Sequence, residues 1–504
     1  MIDLMTAKTA PRSSTGIAGL DEILMGGLPS HRFYLVQGDP GVGKTTLGLQ
    51  FLLAGDAVGE KGLYITLSET HDELIEVANS HQWDLSPISI FELSAIEQTL
   101  AAESQNTLFH PAEVELNQIA QVLMDKVAEV NPVRVIFDSL SELRLLAQNP
   151  LRYRRQLLSL KQFFAGRKCT VVVMDDRTSE SSDREVQSIA HGVIKLEHNS
   201  PKYGDARRRI TVVKVRGSVF RGGYHDYVIT RGGLVVFPRL SAGARQEDYR
   251  SGDSSSGIPS LDNLLCGGLD LGSSTLFMGP PGTGKSTLSA QFASAAAARG
   301  ERAVIFTFDE KVETYVRRAD LVGMRFSEHI AEGRIEASQI NPAVLSPGEF
   351  ANRIVKAVEE RQAKVVVIDS LNGYLNSMPE ESFLAIQMHE LLSYLAQKGV
   401  VTILVLAQNG LIGAMQAPVD ITYLADSVVI LRYFEAMGEV KKAISVIKKR
   451  SGQHEKTIRE FGINSHGLQV GEPLASLHGV LTGVPTFLGD ESGLMKGMAA
   501  HGRS

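Results

Sequence analysis

The feature that most limits what this chain can fold into is that it repeats itself. Gly16-Ile-Ala-Gly-Leu-Asp-Glu-Ile-Leu-Met-Gly-Gly-Leu28 reads against Gly257-Ile-Pro-Ser-Leu-Asp-Asn-Leu-Leu-Cys-Gly-Gly-Leu269, an offset of 241 residues. Farther on, Ile136-Phe-Asp-Ser-Leu140 matches Val367-Ile-Asp-Ser-Leu371, and Gly233-Leu-Val-Val matches Gly467-Leu-Gln-Val. So long a period excludes a solenoid and points to a duplicated domain. The 504 residues suit two cores better than one. Between the halves, residues 239–256 are rich in Ser, Gly, Arg and Asp and read as a linker. The expected organisation is a first domain over 1–244, a second over 245–480, and a mobile tail over 481–504 that carries no readable motif.

The repeat offset also relates two glycine-rich loops. Gly38-Asp39-Pro40-Gly41-Val42-Gly43-Lys44-Thr45 and Gly279-Pro280-Pro281-Gly282-Thr283-Gly284-Lys285-Ser286 both fit GxxxxGK[ST]. Each follows a short apolar run (Phe33-Tyr-Leu-Val-Gln and Thr275-Leu-Phe-Met) and precedes a helix-like run, from Thr46 to Ala54 and from Thr287 to Ala297. That strand, loop and helix context is what a phosphate-binding loop needs. The glycines turn backbone N–H groups inward, and the helix N-terminus adds its positive dipole end. Lys44 and Lys285 are then placed to reach the β- and γ-phosphates of ATP, and the hydroxyls of Thr45 and Ser286 to hold Mg2+. A glycine-rich turn is the plain alternative for one such loop; two in register within a repeat make it negligible.

Two acidic signals complete each half. Val133-Arg-Val-Ile-Phe-Asp138 and Lys364-Val-Val-Val-Ile-Asp369 are apolar strands that end in a carboxylate, suited to hold the magnesium water shell at the carboxyl edge of a parallel sheet. Leu63-Tyr-Ile-Thr-Leu-Ser68-Glu69 and Val304-Ile-Phe-Thr-Phe-Asp309-Glu310 end in acid where a base for the attacking water or hydroxyl is needed. The halves differ here: the first offers Ser68 and one carboxylate, Glu69, and the second offers Asp309 and Glu310. The fold expected from these signals is α/β: two tandem RecA-like P-loop domains, each a twisted, mostly parallel sheet flanked by helices.

Composition excludes several other classes. Hydrophobic residues at 43% and charged residues at 21% describe a globular chain. Cys169 and Cys266 are the only two cysteines and form neither a CxxC pair nor a disulfide framework, which points to a reducing cytoplasm. No apolar run is long enough to span a bilayer, and residues 1–16 lack a signal-peptide layout. A net charge of -6 gives no general attraction to nucleic acid.

These motifs together resemble the KaiC family, the duplicated RecA-like ATPases of bacterial circadian clocks, from Gly16 to about Pro473. Two late basic motifs, Lys214-Val-Arg216-Gly and Lys448-Lys-Arg450-Ser, strengthen the resemblance, as does His454-Glu-Lys-Thr-Ile-Arg-Glu-Phe461. It implies that Lys214, Arg216, Lys448 and Arg450 reach the γ-phosphate bound by a neighbouring subunit, hence a homo-oligomeric ring, six-membered in the family, with ATP at its interfaces. It also implies a phosphoacceptor. Thr422 falls on the family's serine position in Pro418-Val-Asp-Ile-Thr422-Tyr423, whereas Tyr423 replaces the threonine, so one-site serine/threonine autokinase activity on Thr422 is expected rather than an ordered two-site cycle. Ser68 stands where the family carries the first of two glutamates, so nucleotide binding is the firmer expectation for the first domain. A KaiB-like partner is implied by analogy alone; nothing in the tail matches a KaiA-binding segment.

Two rival readings exist. An ATP-gated scaffold ring would bind nucleotide with little chemistry. A DNA-handling motor would use Arg152, Tyr153, Arg154 and Arg155 or Arg207-Arg-Arg209, though such a run is more often a solvated face. The ranking is autokinase, then scaffold, then motor.

Overall fold

The computed structural model describes residues 11–93, 111–147, 149–176, 186–200, 204–240, 252–376, 383–408, 422–482 and 486–487. The chain divides into two compact units, Met1–Arg239 and Leu240–Ser504. Leu240 packs on the core of the second unit, and Asp253–Ser254 pairs antiparallel with Leu269–Asp270. The end of the expected linker is therefore part of the second unit. Of the expected tail, residues 481–482 and 486–487 are described, the latter pairing with Leu477–His478; the rest lies outside the described residues.

In each unit nine of the described strands form one sheet, beside small two-stranded pairs. In the first, Ser89–Glu92, Gly62–Thr66, Arg134–Asp138, Thr170–Asp175, Phe33–Gly38 and Gly192–Asn199 run parallel in that spatial order. Antiparallel strands Arg207–Val215, Tyr224–Thr230 and Gly233–Phe237 extend it. The second unit repeats the plan with Ile335–Gln339, Arg302–Thr307, Ala363–Asp369, Val401–Ala407, Ser274–Gly279 and Ser427–Ala436, then the antiparallel Glu439–Lys449, Arg459–Asn464 and Gly467–Pro473. The parallel strands are apolar almost without interruption because helices cover both faces. Alternate residues feed two cores: Tyr34 and Val36 pack with the Lys44–Asp56 helix, while Phe33 and Leu35 pack on the opposite face with the Pro150–Gly166 helix.

The duplicated lead-in has a local cause. Asp21 accepts hydrogen bonds from Ser14 Oγ and Thr15 N at 2.6 and 2.8 Å, and Asp262 does the same for Ser255 Oγ and Ser256 N at 2.6 and 2.7 Å. Gly27 and Gly268 have φ values of 105° and 135°, and a Cβ on either would stand 2.5 Å from a backbone carbonyl, of Ser13 or Ser254. Only glycine lets the chain cross itself there. Tyr153 is buried and lies under Arg144, so it is withdrawn from base stacking and the arginine run is an ordinary helix face. Among the described residues no helix is long and apolar enough to cross a membrane.

Candidate nucleotide sites of the two units

Each phosphate loop leaves the carboxyl end of the central strand and turns directly into its helix. Gly43 and Gly284 are the N-caps, with φ values of 93° and 105°. A Cβ there would fall 2.8 Å from Ile229 or 2.5 Å from Ile463, so the helices can start at Lys44 and Lys285 only behind glycine. Both lysines are buried and curl back over the loop. Lys44 Nζ donates to the carbonyls of Gly38 and Asp39 at 2.9 and 3.1 Å, and Lys285 Nζ to that of Pro280 at 2.7 Å. Burial pushes the Lys285 ammonium down to about 8. Within the loops, Val42 O accepts from Tyr227, Thr283 Oγ1 donates to Pro280 O, and Pro281 O accepts from Tyr433. Thr46 and Thr287 are buried in the first helical turns.

The acids converge beside the loop hydroxyls. Thr45 Oγ1 lies 3.3 Å from Glu69 Oε1 and 3.4 Å from Asp138 Oδ2. Burial and the adjacent Asp138 charge push the Glu69 carboxyl up to about 7, and burial also raises Asp138. In the second unit, Asp369 is hydrogen-bonded by Ser286 and is pushed up to about 6, again mainly by burial. Asp369 Oδ2 and Glu69 Oε2 are buried and have no hydrogen-bond partner among the described residues. An all-oxygen set of one hydroxyl and nearby acids, with acceptor atoms unspent, fits Mg2+, a hard cation that keeps most of its water. Asp309 accepts from Ser370 Oγ, and Glu310 from Arg318 at 2.6 Å.

Three partners in these sites carry no motif. Asp176, at the end of Thr170–Asp175, pairs with Lys44 at 2.7 Å and is held by Ser141. A strand ending Asp175-Asp176 beside the phosphate-loop strand was the available signal. Tyr64 donates to Asp138 at 2.6 Å from full burial. Arg318 has no counterpart in the first unit, where Val77 stands at the repeat offset.

The late basic residues lie elsewhere. Lys214 is paired across the sheet with Val193, near the start of the strands, whereas the phosphate loop leaves their far end at Gly38. Lys448 faces Val428 in the same way, while Gly279 is at the far end of its strand. Neither motif is brought to its own unit's loop. Lys214 donates to Gln187 O and Arg216 to Ser188 O. Lys448 donates to the carbonyls of Thr422 and Ala425 at 3.1 and 2.7 Å, and Arg450 to that of Tyr423 at 3.0 Å. Thr422 therefore sits with the second basic motif at the amino edge of the sheet, half-buried, away from Lys285.

Fold and sites define the class: a tandem P-loop ATPase of the RecA-like kind. The KaiC ATPase family model matches residues 13–241 and 254–475, and the chain belongs to the KaiC family. Among relatives, it is 27% identical over 487 residues to the circadian clock oscillator protein KaiC of Picosynechococcus sp., covering 95% of this chain and 93% of that one. It is 26% identical to the circadian clock protein KaiC3 of Synechocystis sp., covering 94% of each chain. For KaiC of Synechococcus elongatus the figures are 27% identity, 94% of this chain and 91% of the relative.

Proposed function

We propose that each unit binds Mg-ATP on its phosphate loop, that both sites hydrolyse it, and that the second also phosphorylates Thr422 of a neighbouring copy in a homo-oligomeric ring. The single observation that carries this reading is the separation of parts across each sheet. The loop lysine and the acids occupy the carboxyl edge, while Lys214 and Arg216, or Lys448, Arg450 and Thr422, occupy the amino edge. Six residues of strand span roughly 20 Å, too far for a cation or a hydroxyl to meet the nucleotide of its own unit. A head-to-tail assembly of copies brings the two edges together, and a closed ring, six-membered by likeness to the family, satisfies every copy alike.

In the proposed reaction, Thr422 Oγ1 attacks the γ-phosphorus, the bond to the β-phosphate oxygen breaks, and ADP leaves. The hydroxyl proton passes to Asp309 or Glu310. With water as the attacking group the same acids, or Glu69 in the first unit, give hydrolysis. Lys44 and Lys285 hold the β- and γ-phosphates, and Lys214, Arg216, Lys448 and Arg450 of the adjacent copy neutralise charge that develops on the transferred group. Thr45, Ser286, Asp138 and Asp369 would hold Mg2+, which would supply charge neutralisation on the phosphates. A role in timekeeping or signalling follows by kinship with the clock proteins.

Intact mass with site mapping, after incubation with Mg-ATP, tests the kinase part. One added phosphate, absent from Lys285→Ala and from Thr422→Ala, is the expected result. Hydrolysis with no mass gain overturns the kinase reading and favours a ring that acts through assembly.

A further inference from the structure

The second site holds a cation that neither the repeat nor the motifs supply. Arg318 lies on the Val312–Leu321 helix and reaches back to Glu310, Nη1 to Oε1, at 2.6 Å. Its guanidinium covers the ring of Tyr315 at 5.2 Å from the centroid, and Tyr315 is fully buried with its hydroxyl 3.0 Å from Ser289 Oγ on the phosphate-loop helix. A planar group stacked on a fixed ring and tied to a carboxylate has little rotamer freedom left. The phosphate-loop helix thus fixes Tyr315, which backs Arg318, which holds Glu310.

The electrostatics of the site give this cation work to do. Glu310 lies close enough to Asp369 for the two charges to repel, and a triphosphate adds further negative charge, which favours rotating the glutamate away. Arg318 Nη2 is buried without a hydrogen-bond partner among the described residues, and so is Asp369 Oδ2. In the first unit Val77 replaces the arginine, and Glu69 leans on Thr45 instead.

We propose that Arg318 is a positioning residue of the second site: it holds Glu310 in one orientation through Oε1, leaving Oε2 to take the proton of the attacking hydroxyl or water. This rests on Glu310 acting as the base. The test uses Lys44→Ala chains, in which only the second site can bind nucleotide, and measures kcat, KM and the Kd of a fluorescent ATP analogue. Arg318→Gln is expected to lower kcat about 10-fold or more while Kd stays within about twofold, and Arg318→Lys to recover part of the loss. In a Glu310→Gln background, Arg318→Gln is expected to cost nothing further, because the two residues act as a unit. An unchanged kcat, a Kd that weakens in step with kcat, or an additive loss in the double variant overturns the proposal. A Lys44→Ala chain that neither hydrolyses ATP nor transfers phosphate, or a Glu310→Gln chain with full activity, overturns the reading of the second site and this inference with it.

Discussion

Under the proposed function, replacing Lys285 with Ala should silence the second site and leave hydrolysis to Glu69, whose carboxyl is pushed up to about 7 by burial and the neighbouring Asp138 charge. A raised carboxyl keeps its proton to higher pH, so the base form is gained as pH rises through 7. With that midpoint the carboxylate fraction is about 0.09 at pH 6 and about 0.91 at pH 8, a ratio of about 10. The quantity to measure is kcat/KM for Mg-ATP, because it reports ionisations of the free enzyme, the state whose geometry is described above. It should rise about 10-fold between pH 6 and pH 8, with a midpoint near 7, in Lys285→Ala. Glu69→Gln added to that chain should abolish both the activity and the slope. A profile that is flat over this range, with activity retained, would refute the assignment of Glu69 as base, since an unburied glutamate is fully ionised throughout.

Two further outcomes follow from buried cations. Arg134 is 2% exposed, pairs with Glu60 at 2.6 Å, donates to the carbonyls of Ser14 and Phe51, and lies over the Phe51 ring. Arg134→Met leaves all of these partners unmet and should destabilise the first unit by about 3 kcal/mol. Urea unfolding read from Trp83, the only tryptophan, reports that unit selectively; an unchanged midpoint would count against the network. Lys285 loses its proton above about 8, so the affinity of a Lys44→Ala chain for ATP should weaken about 10-fold from pH 7 to pH 9. Calorimetric titration should also show proton uptake on binding at pH 9; a pH-independent Kd would exclude a charge-dependent role for this lysine.

The parts of the account that were legible in the sequence share a physical property: they are local or periodic. The apolar run Phe33-Tyr-Leu-Val-Gln forms strand Phe33–Gly38, the run ending in Asp138 forms strand Arg134–Asp138, and the run after Lys44 forms helix Lys44–Asp56. The phosphate loops were legible because their glycines answer a backbone requirement that recurs at fixed spacing. What sequence did not disclose are side chains that meet across elements. Tyr64 reaches Asp138 between adjacent strands, Asp176 reaches Lys44 from the next strand over, and Arg318 reaches back eight residues to Glu310 from a helix. None of these spacings has a periodic signature. Asp253–Ser254, read as linker, pairs with Leu269–Asp270 because two residues suffice for a bridge when the lead-in glycines fold the chain back. The opposite placement of Thr422 and Lys285 needed the strand register, which apolar runs alone do not carry.

The central claim is that one chain carries two working nucleotide sites, and counting bound nucleotide tests it most directly. Equilibrium dialysis with Mg2+ and a slowly hydrolysed ATP analogue should give two nucleotides per chain. Lys44→Ala and Lys285→Ala should each give one, and the double variant none. One nucleotide per intact chain, or two retained after either lysine is removed, would contradict the account.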